Sequence, residues 1–169
     1  MVRAGFGGTP DEVQQLYAMG LHRAVDYLVE IYDRPLCNLE FEALREQRYE
    51  PWMGRLAEPD RFELNNLFRR RERYQQADLR QWWLRRMAES PRPLQEKLTL
   101  FWHDHFAVQY RELNSTRMVY TQNQLFRTYG CDNFAALLHG VVLDPAMIRY
   151  LDNHQNRKSS GNENLGREL

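Results

Sequence analysis

The sequence is poor in several features that would narrow its reading. Its 169 residues include only two cysteines, Cys37 and Cys131, and neither sits in a C-x-x-C pair or at zinc-ligand spacing from a histidine. A structural zinc site of the usual kind is therefore absent, and the two are read as free, partly buried thiols. No apolar run approaches the roughly 18 residues of a membrane helix; the longest, Ala135 to Leu138 and Val141 to Leu143, have the length of core-helix faces. Neither charge sign is in excess: Lys and Arg total 23, as do Asp and Glu. That balance removes any general pull toward nucleic acid, and no nucleic-acid partner is expected. The basic run Arg69-Arg70-Arg71-Glu72-Arg73 is flanked by acidic residues and reads as a solvated helix face. No G-x-S-x-G, Walker loop or H-E-x-x-H occurs. The glycine-rich Arg3 to Gly8 lacks a preceding strand and G-x-G-x-x-G order, so it reads as a lead into the first helix. Met1 to Pro10 carries no signal-peptide pattern.

Helical signals dominate what remains, with 43% hydrophobic and 27% charged residues. Thr9-Pro10-Asp11-Glu12 combines an N-cap, a proline at the first helical position and a capping-box Glu. Gly20 stops that helix, and Leu21, Ala24, Val25, Leu28 and Tyr32 form a second apolar stripe. Residues 33–59 read as a connector with one short helix around Glu40 to Gln47. Asp60 with Glu63 opens a long helix to Glu89, nearly all polar between Arg69 and Asp78, which is expected to present an arm to a protein partner. Pro91 and Pro93 punctuate the chain before a helix over 94–105. A short strand is expected at Phe106 to Tyr110. Ser115 caps a helix to Tyr129, Asp132 caps the next, and Leu137, Leu138, Val141 and Val142 are expected to be nearly fully buried. A short helix follows Asp144-Pro145. The fold class is all-α: an irregular multi-helix array in one helical domain, with 1–59 as N-terminal helices and connector and 60–169 as long helix and main core. Asn162 caps a last helix that reads as unfinished at Leu169, so the fold is expected to be incomplete at the C-terminus.

Two polar constellations are candidates for chemistry. The first is Phe101-Trp102-His103-Asp104-His105-Phe106. Residues two apart in a helix point about 200° apart, so His103 and His105 converge on a metal only if the helix ends before them. Periodicity places His105 on the apolar stripe of Leu94, Leu98 and Phe101 and turns His103 elsewhere. The second is the loop Asp152-Asn153-His154-Gln155-Asn156-Arg157-Lys158 followed by Asn162-Glu163-Asn164, dense in oxygen donors suited to a polar ligand or cation. Local caps and Asx turns account for the same residues. The expected ligand-binding set is His103, His105, Asp152, Asn153, Asn162 and Glu163. His103, His105 and Glu163 are the candidates to hold a divalent metal, the one cofactor considered.

Several of these strings resemble one bacterial family, that catalogued as domain of unknown function 1800. They are Arg3-Ala4-Gly5-Phe6-Gly7 before Thr9-Pro10, Trp83 to Met87, Pro91 to Phe106, Asp144-Pro145-Ala146-Met147, Leu151-Asp152-Asn153, Asn156-Arg157-Lys158 and Asn162-Glu163-Asn164. The resemblance is ordered along nearly the whole chain. It implies a longer protein, often with an export signal, so that this chain looks truncated at its C-terminus and an exported or cell-envelope location is expected. It brings no established activity. The family pattern includes both histidines and the Asn-Glu-Asn run, which implies a site where the two constellations meet.

Overall fold

A computed structural model describes residues 4–30, 37, 39–41, 53–158, 161 and 163–168. Among them the chain forms helices α1 (Pro10–Met19), α2 (Leu21–Val29), α3 (Glu58–Glu89), α4 (Pro93–His105), α5 (Tyr110–Leu113), α6 (Thr116–Tyr129), α7 (Phe134–Val142), α8 (Pro145–Tyr150) and α9 (Asn164–Glu168), with 3-10 turns at Met53–Arg55 and Asn153–Gln155. There is no strand among the described residues, and the array is all-α and irregular. The strand expected at Phe106 to Tyr110 is replaced by the end of α4 and the start of α5. Most of the short helix expected around Glu40 to Gln47 lies outside the described residues.

Local chemistry sets most boundaries. The capping box of α1 is complete: the Thr9 backbone N–H donates to Glu12 Oε2 (2.7 Å), and Glu12 N–H donates to Thr9 Oγ1 (3.3 Å). Ser115 caps α6 by accepting from Met118 N–H. Two expected caps move. α7 is capped by Asn133, whose Oδ1 accepts from Ala135 and Ala136, rather than by Asp132. α3 begins at Glu58, two residues before Asp60, because Pro59 fits its first turn and needs no hydrogen-bonded N–H. The α6–α7 turn passes beneath Trp102, whose Nε1 donates to the Gly130 carbonyl (2.9 Å). A Cβ on Gly130 would meet Trp102 Cδ1 at 2.6 Å as well as the Phe126 carbonyl, so the indole fits only against glycine.

The apolar core gathers Phe106, Phe126, Leu137, Val141, Met147 and Leu151, with Leu165 of α9 packed against it. Its partner layer is unexpectedly polar. The buried residues of α4 are Gln95, Glu96 and Thr99; of the expected apolar stripe, Leu94 and Leu98 are half-buried while Phe101 and His105 are exposed, so the helix is turned away from the orientation that the stripe predicts. On α3 the buried residues are Gln75, Leu79, Trp82 and Arg86, all in its second half.

Of the four α7 residues expected in the core, Leu137 and Val141 are 0% exposed, whereas Leu138 and Val142 are only partly buried. Leu137→Ala is therefore expected to cost about 2–5 kcal/mol, and Leu138→Ala distinctly less, because a cavity penalty is paid in full only where no solvent relaxes the site. Urea denaturation of both variants tests this, and equal losses would misplace the core.

Candidate functional site

The most concentrated polar chemistry lies where α3, α4 and α6 meet. Glu96 is fully buried and carries two guanidinium groups. Arg127 grips it as a fork, Nε to Oε1 and Nη2 to Oε2, both at 2.9 Å; Arg86 Nε donates to Oε1 at 3.0 Å. Both guanidinium carbons stand over the Trp82 ring, at 5.4 Å for Arg86 and 5.3 Å for Arg127. The Leu39 carbonyl accepts from Arg86 Nη1 and from Trp82 Nε1. Burial alone would raise the Glu96 carboxyl; the hydrogen bonds and charge of Arg127, then of Arg86, outweigh it and hold it below the ordinary carboxylate value.

The network continues to His103. Arg127 Nη1 donates to Asn123 Oδ1 (2.6 Å), and the Asn123 amide nitrogen lies 3.1 Å from His103 Nε2. The amide nitrogen can only donate, so Nε2 is the acceptor and the ring proton resides on Nδ1. Trp83 packs on the ring at 4.8 Å and Phe126 meets it edge-on at 4.7 Å. Burial, then the Arg127 charge, lower its pKa to about 4, so His103 is neutral in the ordinary pH range.

A second polar pair seals the α7–α8 junction. Asp144 caps α8 by accepting from Met147 N–H, and the same Oδ2 accepts from Gln122 Nε2 (3.0 Å). Asp144 Oδ1 and Gln122 Oε1 are buried without a donor. Burial raises the Asp144 pKa to about 6 against the hydrogen bonds of Met147, Ala146 and Gln122. Protonation there gives one of the two bare oxygens a hydrogen.

The expected ligand set is spread over several settings. α4 stays helical through His105, so the two histidines diverge: His105 is exposed and stacks on Phe101. Asp152 and Asn153 accept from Gln155 and Asn156 within their own turn, Asp152 in the left-handed conformation (φ 55°). Glu163 pairs with Arg167 one helical turn on. Asn162 lies outside the described residues. Among the described residues, no hydrogen bond or ring contact of either histidine reaches the 152–163 region, and no group of three or more His, Cys, Asp or Glu could hold a metal ion. Cys37 and Cys131 are free thiols. Burial, then the Glu96 charge, push the Cys131 thiol up to about 11, against the Arg92 charge.

Sequence reasoning did not single out Glu96, Arg86, Asn123 or Arg127. The signal available was polar periodicity: Glu96, Thr99 and His103 recur at three- and four-residue spacing along α4, and Asn123 and Arg127 stand one turn apart on α6.

The sequence model of the family described as Protein of unknown function (DUF1800) matches residues 1–169, and the chain belongs to that family. No curated protein and no solved structure matches it.

The two perturbed groups predict opposed pH dependences. His103 titrates near 4 when folded against 6.5 ordinarily, so between those values the unfolded chain binds more protons and stability falls as pH falls. Asp144 titrates near 6 against 3.8, so the folded chain binds more protons and stability rises as pH falls. Asp144→Asn, which retains a capping oxygen, should make the protein less stable at pH 5 than at pH 7, and His103→Gln more stable, each by about 1–2 kcal/mol relative to the parent's own change. Denaturant titrations at the two pH values measure this; parental slopes in both variants would refute it.

Proposed function

We propose that this member of the DUF1800 family is a non-catalytic interaction protein that docks a protein partner along the face of α3 between Leu67 and Asp78. The observation that carries this reading is the exposure of large apolar side chains on α3: Phe62 is 65% exposed, Leu67 58% and Tyr74 67%. Isolated apolar residues on a surface are ordinary. Here Leu67, Arg70, Arg71, Tyr74, Gln75 and Asp78 line one groove of about 450 Å³. Their spacing of three and four residues puts them on a single face. Leu67 and Tyr74 are two turns apart, with two arginines between them. The partner that fits is an amphipathic helix with apolar side chains at the same interval and carboxylates facing Arg70 and Arg71.

A photo-crosslinking residue placed at Leu67 or Tyr74 of the full chain, in the cell that makes it, should trap one discrete partner. One placed at Asp132, on the far α6–α7 turn, should not. Charge reversal of Arg70 and Arg71 to Glu should abolish the crosslink while leaving the thermal midpoint unchanged. Crosslinks of equal yield from Asp132, or indifference to the charge reversal, would overturn the reading.

A second reading, a polar-ligand or divalent-metal domain using His103, His105, Asp152, Asn153, Asn162 and Glu163, is favoured by one observation. A groove of about 480 Å³ is lined by His154, Gln155, Asn156 and Arg157, which directly follow Asp152 and Asn153 in the chain. Its test is metal analysis of the protein purified without a histidine tag: one equivalent of a divalent ion lost on His103→Gln or Glu163→Gln supports it, and none bound counts against the metal.

A further inference from the structure

A different face of α3 borders the largest polar cleft of the described residues. Arg69 and Arg73, one helical turn apart, face Arg149 of α8 across a space of about 820 Å³. Asn114 and Ser115, at the turn into α6, close one end, and the half-buried Phe68 forms an apolar wall. Three properties set this cleft apart from a merely solvated arginine face. The cations come from two helices far apart in sequence, so the fold assembles them. Among the described residues, none of the three guanidinium groups takes part in a hydrogen bond or ion pair, although Arg85, Arg86, Arg127 and Arg167 all find carboxylates. The one carboxylate in the cleft, Glu72, is already engaged: its Oε2 accepts from Thr116 N–H (3.0 Å), Thr116 Oγ1 (2.9 Å) and Tyr110 O–H (3.1 Å). Three cations thus face a single carboxylate, one oxygen of which is bonded to Tyr110 and to the start of α6.

We propose that this cleft is a binding site for a small organic oxyanion with at least two negative charges, a phosphate ester or a polycarboxylate. Arginine suits both, because its planar fork meets two oxygens of either group with parallel hydrogen bonds. Phe68 gives the organic part an apolar surface. The Arg69-Arg70-Arg71-Glu72-Arg73 run then divides by helical geometry. Arg69 and Arg73 point into this cleft, while Arg70 and Arg71 line the other groove on α3. The proposal goes beyond the docking reading and stands or falls separately from it.

Calorimetric titration of the full chain with pyrophosphate and with citrate tests the proposal. At least one should bind, more weakly when sodium chloride is raised from about 50 to about 300 mM. Binding of pyrophosphate alone assigns the site to phosphate esters, and binding of citrate alone to polycarboxylates. Arg73→Gln and Arg149→Gln, on different helices, should each weaken binding about tenfold. Arg73→Lys should recover only part of that loss, since an ammonium cannot make the paired contact. Glu72→Gln, which keeps an acceptor for Thr116 and removes a negative charge, should tighten binding several-fold. Arg85→Gln, outside the cleft, should change nothing. Thermal melts of every variant confirm folding. Failure of both anions to bind at millimolar concentration, or an equal loss in Arg85→Gln, would overturn the site.

Discussion

The packing of α3, α4 and α6 depends on one buried carboxylate. Glu96 cannot stand ionised in an apolar interior alone, since the desolvation cost of an unpaired buried charge exceeds the stability of most domains. It is tolerated because Arg86 and Arg127 reach it from two other helices and Trp82 offers both guanidinium groups an aromatic face. The pairing specifies geometry more than it adds stability. Replacing such a triad with apolar residues is often neutral or better, whereas removing one member typically costs about 3–5 kcal/mol. What the triad contributes is register: α4 can rotate or slide against α3 and α6 only by breaking charge-assisted hydrogen bonds.

That register explains the orientation of α4. With Glu96 inside, helical spacing carries Thr99 and His103 inside too, and sends Phe101 and His105 to the surface. His103 is then neutral because it is buried and, second, because the same Arg127 that satisfies Glu96 stands near it. The Asn123 amide, bonded to both, settles its tautomer. The histidine that looked most like a metal ligand thus has its acceptor nitrogen occupied. Gln122, next to Asn123 on α6, holds Asp144 at the base of α8. One helix therefore anchors both polar pairs, and the apolar core of Phe106, Phe126, Leu137, Val141 and Met147 fills the space among them.

The all-α class, the Thr9 capping box, the helices started at Pro10 and Pro145 and the burial of Leu137 and Val141 on α7 were legible because each rests on local chemistry: caps, ring constraints and apolar runs within one turn. The orientation of α4 was not legible by the same logic. Hydrophobic periodicity assumes that the more apolar face is the inner one; Leu94 and Leu98 are only half-buried, and Phe101 and His105, on the same stripe, are exposed. Nothing local reveals that Glu96 has cations waiting 10 and 31 residues away. The Asp60–Glu63 cap failed for a smaller reason: Pro59 allows the helix to begin earlier, so Asp60 falls inside the first turn. Of the two candidate histidines, periodicity placed His105 inward and turned His103 elsewhere, whereas His103 is the one packed against Trp83 of α3 and Asn123 and Phe126 of α6.

A chain that spends its internal charges on packing leaves a particular kind of surface. Glu96, Arg86, Arg127 and Asn123 are buried in one network and Gln122 and Asp144 in another, so none offers a charge to an incoming molecule. On α3 two exposed faces stand side by side. One face pairs exposed Leu67 and Tyr74 with Arg70 and Arg71; the adjacent face turns Arg69 and Arg73 toward Arg149. A helix of this length costs more to order than its second half alone requires, and its first half buries no side chain in return. What holds it is the Glu72 carboxylate at the start of α6, a contact that also fixes the floor of the arginine cleft. The same interaction that extends the helix therefore also builds the cleft.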